Sequence, residues 1–155
     1  MPKKMQTIFI DADACPVPIK QEIQDICRNV PVDVLFVASY AHVMNEEKNT
    51  KWIIVDSNRE EVDLYIVNHV IPNDFVITQD YGLASILLPK GVYVLSPRGK
   101  RYLEKNIDDL LYMRHLSSKE RRAGNRVKGP KPFRKEDKER FSEEFKKVLK
   151  KEGLL

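Results

Sequence analysis

Cysteine is scarce in this chain, with only Cys15 and Cys27 among 155 residues. The two form no C-x-x-C pair and have too few companions for a zinc cluster. A reducing cytoplasm is the compartment expected from that usage. Long apolar runs are lacking as well: none approaches the roughly 18 residues of a membrane-spanning helix, so no membrane partner is expected. The start, with Lys3 and Lys4 ahead of a short apolar stretch, is too brief in its apolar part for a signal peptide. There is no internal repeat, no recognition-helix or RNP signature, and no Ser/His/Asp set for side-chain nucleophilic catalysis. His42, His69 and His115 stand at no ligand spacing.

What is present describes a globular chain of one ordinary core, 42% hydrophobic and 32% charged. The net charge of +4 conceals a split. Residues 1–97 carry 8 Lys and Arg against 13 Asp and Glu, whereas residues 98–155 carry 19 against 10. An acidic body bearing a basic tail suits a metal-using enzyme that acts on a polyanion. A helical C-terminus solvated by lysines has the same composition.

The hydrophobic pattern predicts alternating strands and helices. Residues 7–10 (TIFI) are continuously apolar, as a central strand requires. Pro16 and Pro18 suit a first helical turn, and Ile19, Ile23, Ile26 and Cys27 follow at helical spacing. Strands are expected at 32–39, 52–55, 75–78 and 92–96, and helices at 60–70 and 83–88. This order argues for an α/β fold, three layers α/β/α around a mainly parallel sheet. Helices are further expected at 103–116 and 134–151, the second with Phe141, Phe145, Val148 and Leu149 on one stripe. Between them, residues 117–133 read as a basic connector containing Gly124, Gly129, Pro130 and Pro132. The domain reading is therefore an α/β unit over 1–117 and a basic connector plus C-terminal helix over 118–155, part of the same domain or appended to it.

Parallel strands joined by helices place all strand C-termini on one edge, where such sheets carry their sites. Asp11 and Asp13 follow the first strand and Asp80 follows the fourth, while Glu60 and Asp63 open the helix after the third. Carboxylates that converge repel unless protons or a cation compensate, and oxygen-only ligands suit Mg²⁺ or Mn²⁺ better than zinc. Each acid also has a plain structural role open to it. Asp13 and Asp80 could cap helices, and Glu60 and Asp63 could serve a helix dipole.

The segments IDADACPVPIK, EEVDLYIV, VITQDYGLA and VLSPRGKRY resemble the signature segments of the YaiI/YqxD family of uncharacterised bacterial proteins. The resemblance covers residues 7–116 in the same order and spacing. It implies a relation to PIN-like domains, metal-dependent nucleases with a parallel sheet and an acidic pocket. Asp11 matches the first acid of that pattern, Glu60 or Asp63 the second, and Asp80, within TQDYGL, the third. Where the family has Asp-x-x-Asp, this chain has Glu60-Glu61-Val62-Asp63, which keeps both charges and leaves open which acid would reach a metal.

The resulting expectation is phosphodiester hydrolysis, with RNA as the expected polymer. Asp11, Asp63 and Asp80 would bind Mg²⁺ or Mn²⁺, assisted by Asp13 or Glu60, with Asp11, Asp13 and Asp80 closest to the chemistry. Arg98, Lys100 and Arg101 follow the fifth strand, and Arg121, Arg122, Arg126 and Lys128 lie in the basic connector; these seven would hold flanking phosphates. Two other classes remain open. In a haloacid-dehalogenase-type phosphatase Asp11 would be the nucleophile and Asp13 the acid/base, with Thr78 and the pair Asp108 and Asp109 as supporting fragments. In a non-catalytic RNA-binding protein the acids would hold a structural metal.

Overall fold

The computed structural model describes residues 5–39, 49–56, 59–125 and 131–155. Its strands are β1 (Thr7–Asp11), β2 (Asp33–Ala38), β3 (Thr50–Ile54), β4 (Phe75–Ile77), β5 (Tyr93–Leu95) and β6 (Arg101–Tyr102). Its helices are α1 (Val17–Cys27), α2 (Arg59–His69), α3 (Tyr81–Leu87), α4 (Glu104–Arg122) and α5 (Lys135–Lys151). The six strands form one sheet in the order β3-β2-β1-β4-β5-β6. Every pairing is parallel except that of β5 with β6, which is antiparallel.

Helices cover both faces of the sheet, giving the three layers that the alternating pattern predicts. Ile8 and Ile10 of β1 pack with α1 and α5 on one side, and Phe9 packs with α2, α3 and α4 on the other. A strand buried on both faces has no polar side, which is why TIFI shows no alternation. The chain crosses from β1 to β2 in one direction and returns from β3 to β4 in the other. Right-handed crossovers of opposite direction put their helices on opposite faces, as α1 and α2 are. Pro18 lies in the first turn of α1, where a missing N–H leaves no bond unmade.

The C-terminal helix shares the main core. Phe141, Phe145, Val148 and Leu149 of α5 are essentially inaccessible and sit in the same cluster as Ile19 and Ile23 of α1. Each such side chain is worth roughly 1.5–3 kcal/mol when taken from water. The N-terminus of α5 is held by Asp137, whose Oδ2 accepts from Arg134 N–H at 2.9 Å and pairs with Arg98 at 3.3 Å. That backbone bond is the main cause holding the Asp137 carboxyl below its ordinary value, against burial and with help from Arg98 and Arg140.

Two elements differ from the expected ones. The helix expected to stop at Leu116 runs on to Arg122, so residues 117–122 belong to α4 and not to a connector. No glycine or proline interrupts the chain until Gly124, which takes a left-handed φ of 85° just past the helix end. The strand β6 has no counterpart in the hydrophobic pattern, because two residues are too short to carry a period. It is produced by the 96–100 turn, in which the Ser96 hydroxyl accepts from Arg98 N–H and Lys100 N–H. No described helix is long and apolar enough to cross a membrane.

Candidate functional site

In an open sheet of this kind, the crevice for a ligand lies where the strand order reverses direction, outside the strand C-termini. Here that switch point falls between β1 and β4. Asp11 is the last residue of β1, and Thr78-Gln79-Asp80 is the segment that leaves β4. Topology alone therefore brings Asp11 and Asp80 to the same crevice.

The side chains at this edge are tied to one another. The Thr78 hydroxyl donates to Asp11 Oδ2 at 3.1 Å and accepts from Asp80 N–H at 3.1 Å. Asp13, in a 3-10 turn over Ala12–Ala14, receives Ser39 N–H on both oxygens at 3.1 Å and the Ser39 hydroxyl on Oδ2. Gln79 Nε2 donates to the Ala14 carbonyl at 2.8 Å. The ends of β1, β2 and β4 are thus cross-linked through polar contacts, so the rim of the crevice is fixed before any ligand arrives. Asp13 is not the cap of α1; that position belongs to Pro16, and Asp13 instead fastens the 3-10 turn to the end of β2.

Asp80 has two roles together. As N-cap of α3 its Oδ1 accepts from Leu83 N–H at 3.1 Å, and the same oxygen pairs with Arg114 of α4 at 3.3 Å. Both contacts fall on Oδ1, which leaves Oδ2 on the far side of the carboxylate. Gly82 eases this arrangement, since a Cβ there would stand a tight 3.2 Å from Asp80 Oδ1 and in ordinary contact with Arg114 Nη1 at 3.9 Å. Tyr102 lies close enough to feel Asp80. Burial, then Tyr81 and Asp80, raise its phenol above the ordinary value, while a Ser96 hydrogen bond opposes them.

Asp11 is 2% exposed. Burial pushes the Cys15 thiol up to about 12, Lys20 pulls it down, and Asp11 pushes it up again. Lys20 and Asp11 therefore both stand near Cys15, on opposite sides of its electrostatic balance. The thiol stays protonated at neutral pH and is no nucleophile. Lys20 itself is only 9% exposed, its ammonium 5.6 Å from the centre of the Trp52 ring.

The remaining expected residues fall elsewhere. Glu60 is exposed in the first turn of α2, and Asp63 is half-buried one turn on, beside the core residue Val62. Among the described residues, no group of three His, Cys, Asp or Glu side chains is gathered closely enough to hold a metal ion. The acids of α2 are not brought into one cluster with Asp11 and Asp80. Asp108 and Asp109 are exposed on α4. Arg98 is engaged with Asp137 and the Lys131 carbonyl and lies 5.9 Å from the Phe133 ring centre. Arg101 lies over Tyr93 at 5.4 Å, while Lys100, Arg121 and Arg122 are exposed. Arg126, Lys128 and His42 lie outside the described residues.

The donors at the switch point are two carboxylates and one hydroxyl, all hard oxygens. Mg²⁺ commonly takes only one or two carboxylates and completes its shell with water and substrate phosphate oxygens. By donor chemistry these oxygens would suit a hard divalent ion shared with a phosphate, since no closed cage of three or four acids is gathered among the described residues. A groove of about 470 Å³ lies between α1 and α5, and Lys138 pairs with Glu22 across it at 3.4 Å.

Thr78, Ser39, Lys20, Gly82 and Arg114 complete the arrangement; of these the sequence singles out only Thr78, as a fragment of the phosphatase pattern. Lys20 has a readable signal: with Gln24 it interrupts the buried stripe Ile19, Ile23, Cys27 of α1. Arg114 has a fainter one, standing two turns beyond Ile107 on the inward face of α4.

The chain matches the family model described as uncharacterised BCR, YaiI/YqxD family, over residues 9–151. A UPF0178 protein of Halalkalibacterium halodurans is 50% identical over 142 residues, covering 92% of this chain and 89% of that protein. A UPF0178 protein of Bacillus velezensis is 51% identical over 148 residues, covering 95% and 87%. One from Bacillus cytotoxicus is 49% identical over 147 residues and covers 95% of each. No solved structure matches the chain.

Proposed function

From the premise that this chain belongs to the YaiI/YqxD family, we propose that it is a divalent-metal-dependent hydrolase of phosphodiester bonds in nucleic acid, with single-stranded RNA as the preferred polymer. The observation that carries this reading is the Asp11–Thr78–Asp80 chain of hydrogen bonds at the switch point of the sheet. The PIN-like relation implied by the first and third acids points the same way.

Asp11 and Asp80 would hold Mg²⁺ or Mn²⁺, with the rest of its shell left to water and the substrate. When bound, the ion supplies Lewis acidity toward a phosphoryl oxygen and makes water a better nucleophile. The protein's own residues do the positioning. Thr78 orients the Asp11 carboxylate, and Ser39 fixes Asp13 so that the 3-10 turn keeps its shape. Lys20, near Cys15 as Asp11 is, would add a positive charge that moderates the repulsion of an approaching phosphate. Arg114 does the same beside Asp80. Glu60 serves the N-terminal dipole of α2 on this reading.

A covalent phosphatase mechanism finds less support, because Asp108 and Asp109 face solvent on α4 and supply no acid to the crevice. The test is incubation with Mn²⁺ or Mg²⁺ and labelled single-stranded RNA, single-stranded DNA and a chromogenic phosphomonoester. Strand cleavage that disappears in Asp11→Asn and in Asp80→Asn supports the proposal. Phosphomonoester turnover through a trapped aspartyl phosphate, or RNA binding without cleavage that both substitutions leave unchanged, defeats it.

A further inference from the structure

Helix α4 outruns the body of the protein. Ile107 is buried and Leu110 and Leu111 are packed against the core, but residues 112–116 and 119–122 are exposed, with Ser117 and Ser118 intermediate. Arg114 fixes the level at which the helix leaves the sheet, because its guanidinium meets Asp80 at the C-terminal edge of β4. With a helical rise of about 1.5 Å per residue, the stretch from Arg114 to Arg122 adds about 12 Å of helix beyond that contact.

The face on which Arg114 lies is a continuation of the one that packs. Ile107, Leu110 and Leu111 lead at intervals of three or four to Arg114, then Ser118, then Arg121 and Arg122. This face of α4 therefore changes from apolar to cationic and hydroxyl-bearing at Arg114, the residue that meets Asp80. From Arg114 to Arg122 there are four arginines and lysines against one glutamate, Glu120.

Cations in a last helical turn also answer the helix dipole, which accounts in part for Lys119, Arg121 and Arg122. The dipole is equivalent to about half a charge, however, so three full cations leave a clear positive excess. Arg114 lies two turns upstream of that end and is directed at the crevice by its contact with Asp80. The acids at the crevice repel any polyanion, so a strand approaching Asp11 and Asp80 needs a cationic surface beside them.

We propose that the exposed C-terminal half of α4, through Arg114, Ser118, Arg121 and Arg122, is the docking surface for the sugar-phosphate backbone of single-stranded nucleic acid bound beside Asp80. This rests on the proposed nuclease reading for the direction of the strand, but the binding itself needs no cleavage. Arginine forks and a serine hydroxyl are suited to phosphate oxygens and read no bases, so the docking is sequence-blind.

The test is fluorescence anisotropy with a labelled single-stranded RNA of about twenty nucleotides, in EDTA, from about 50 to 200 mM KCl. Arg121→Gln with Arg122→Gln is compared with Lys146→Gln and Lys150→Gln, which remove the same charge from the exposed side of α5. Affinity should fall about tenfold in the α4 pair, and the salt slope by about 1.4, the share of two phosphate contacts on a single strand. The α5 pair should stay within about twofold of the parent. Equal losses in both pairs, or no loss in the α4 pair, overturn the proposal. So does a change of molecular mass in solution confined to the α4 pair, which would make this face a contact between copies of the chain. Binding that depends on α4 with no cleavage under either metal leaves this inference standing and removes the nuclease reading. Cleavage with affinity indifferent to the α4 pair does the reverse.

Discussion

The hydroxyl of Thr78 donates to Asp11 Oδ2 at 3.1 Å, across 67 residues of sequence. Because the same oxygen accepts from Asp80 N–H, one hydroxyl holds both acids of the crevice in place. Thr78→Val keeps the shape of the side chain and deletes that link. It should cost about 1–3 kcal/mol in denaturant unfolding, since Asp11 and the Asp80 N–H each lose one hydrogen bond at a buried site. RNA cleavage should fall by more than the loss of folded protein explains. Thr78→Ser, which restores the hydroxyl, should recover cleavage, and equal rates for the two variants would separate Thr78 from the site.

Gly82 is the nearest neighbour able to disturb Asp80 without touching it chemically. A Cβ there would stand 3.2 Å from Asp80 Oδ1, and the branches of a valine would press further into the carboxylate and Arg114. Gly82→Val should leave the protein folded, because residue 82 is only half-buried and in an ordinary helical conformation. Its cleavage rate should drop roughly tenfold to a hundredfold, the usual cost of a displaced catalytic group. Single-turnover cleavage beside a thermal melt checks both statements.

Gly99 carries a different constraint. Its φ is +87°, and a Cβ would lie 2.5 Å from the Arg140 carbonyl carbon and 2.6 Å from Phe141 N. The turn after β5 therefore packs directly on the backbone of α5, at the level where Arg98 meets Asp137. Gly99→Ala combines backbone strain with a clash against backbone that cannot rotate away, and should cost about 2–5 kcal/mol. Urea unfolding measures it. A loss below about 1 kcal/mol would mean that α5 docks by its phenylalanines alone.

This contact also marks what the sequence can and cannot convey. SPRGKRY reads as a basic turn at the strand edge, and its position is right. Its partner, 39 residues further along the chain on α5, leaves no local trace, so Arg98 looks available for phosphate when it is engaged with Asp137. The apolar runs of β1, β2, β4 and β5 are legible because a doubly covered sheet demands them. The same logic places Asp11 and Asp80 on one edge. The roles of Ser39, Thr78 and Arg114 are tertiary and depend on which strand neighbours which. Glu60 and Asp63 look like members of the cluster by order along the chain, yet no group of three acids is gathered among the described residues, because order along the chain does not fix how far a helix carries its side chains from the edge.

Alkaline pH should weaken the fold through its thiols. Cys27 is fully buried against α1's core neighbours, and burial pushes its thiol up to about 12 from an ordinary value near 9. The folded state thus holds this proton more tightly than the unfolded chain does. Its contribution is complete below pH 9, and is lost between about pH 9 and pH 12 as the unfolded thiol ionises first and the folded one follows. Within that window the loss runs at up to about 1.4 kcal/mol per pH unit for one such group. Cys15 and the buried phenol of Tyr102 are raised in the same direction and steepen the fall. Unfolding free energies measured at about pH 8, 9 and 10 should therefore decline. Cys27→Ala should decline less steeply while starting from a lower value at the first of these, because it leaves a small cavity. Parallel slopes for the parent and the variant would place the alkaline sensitivity in some other group.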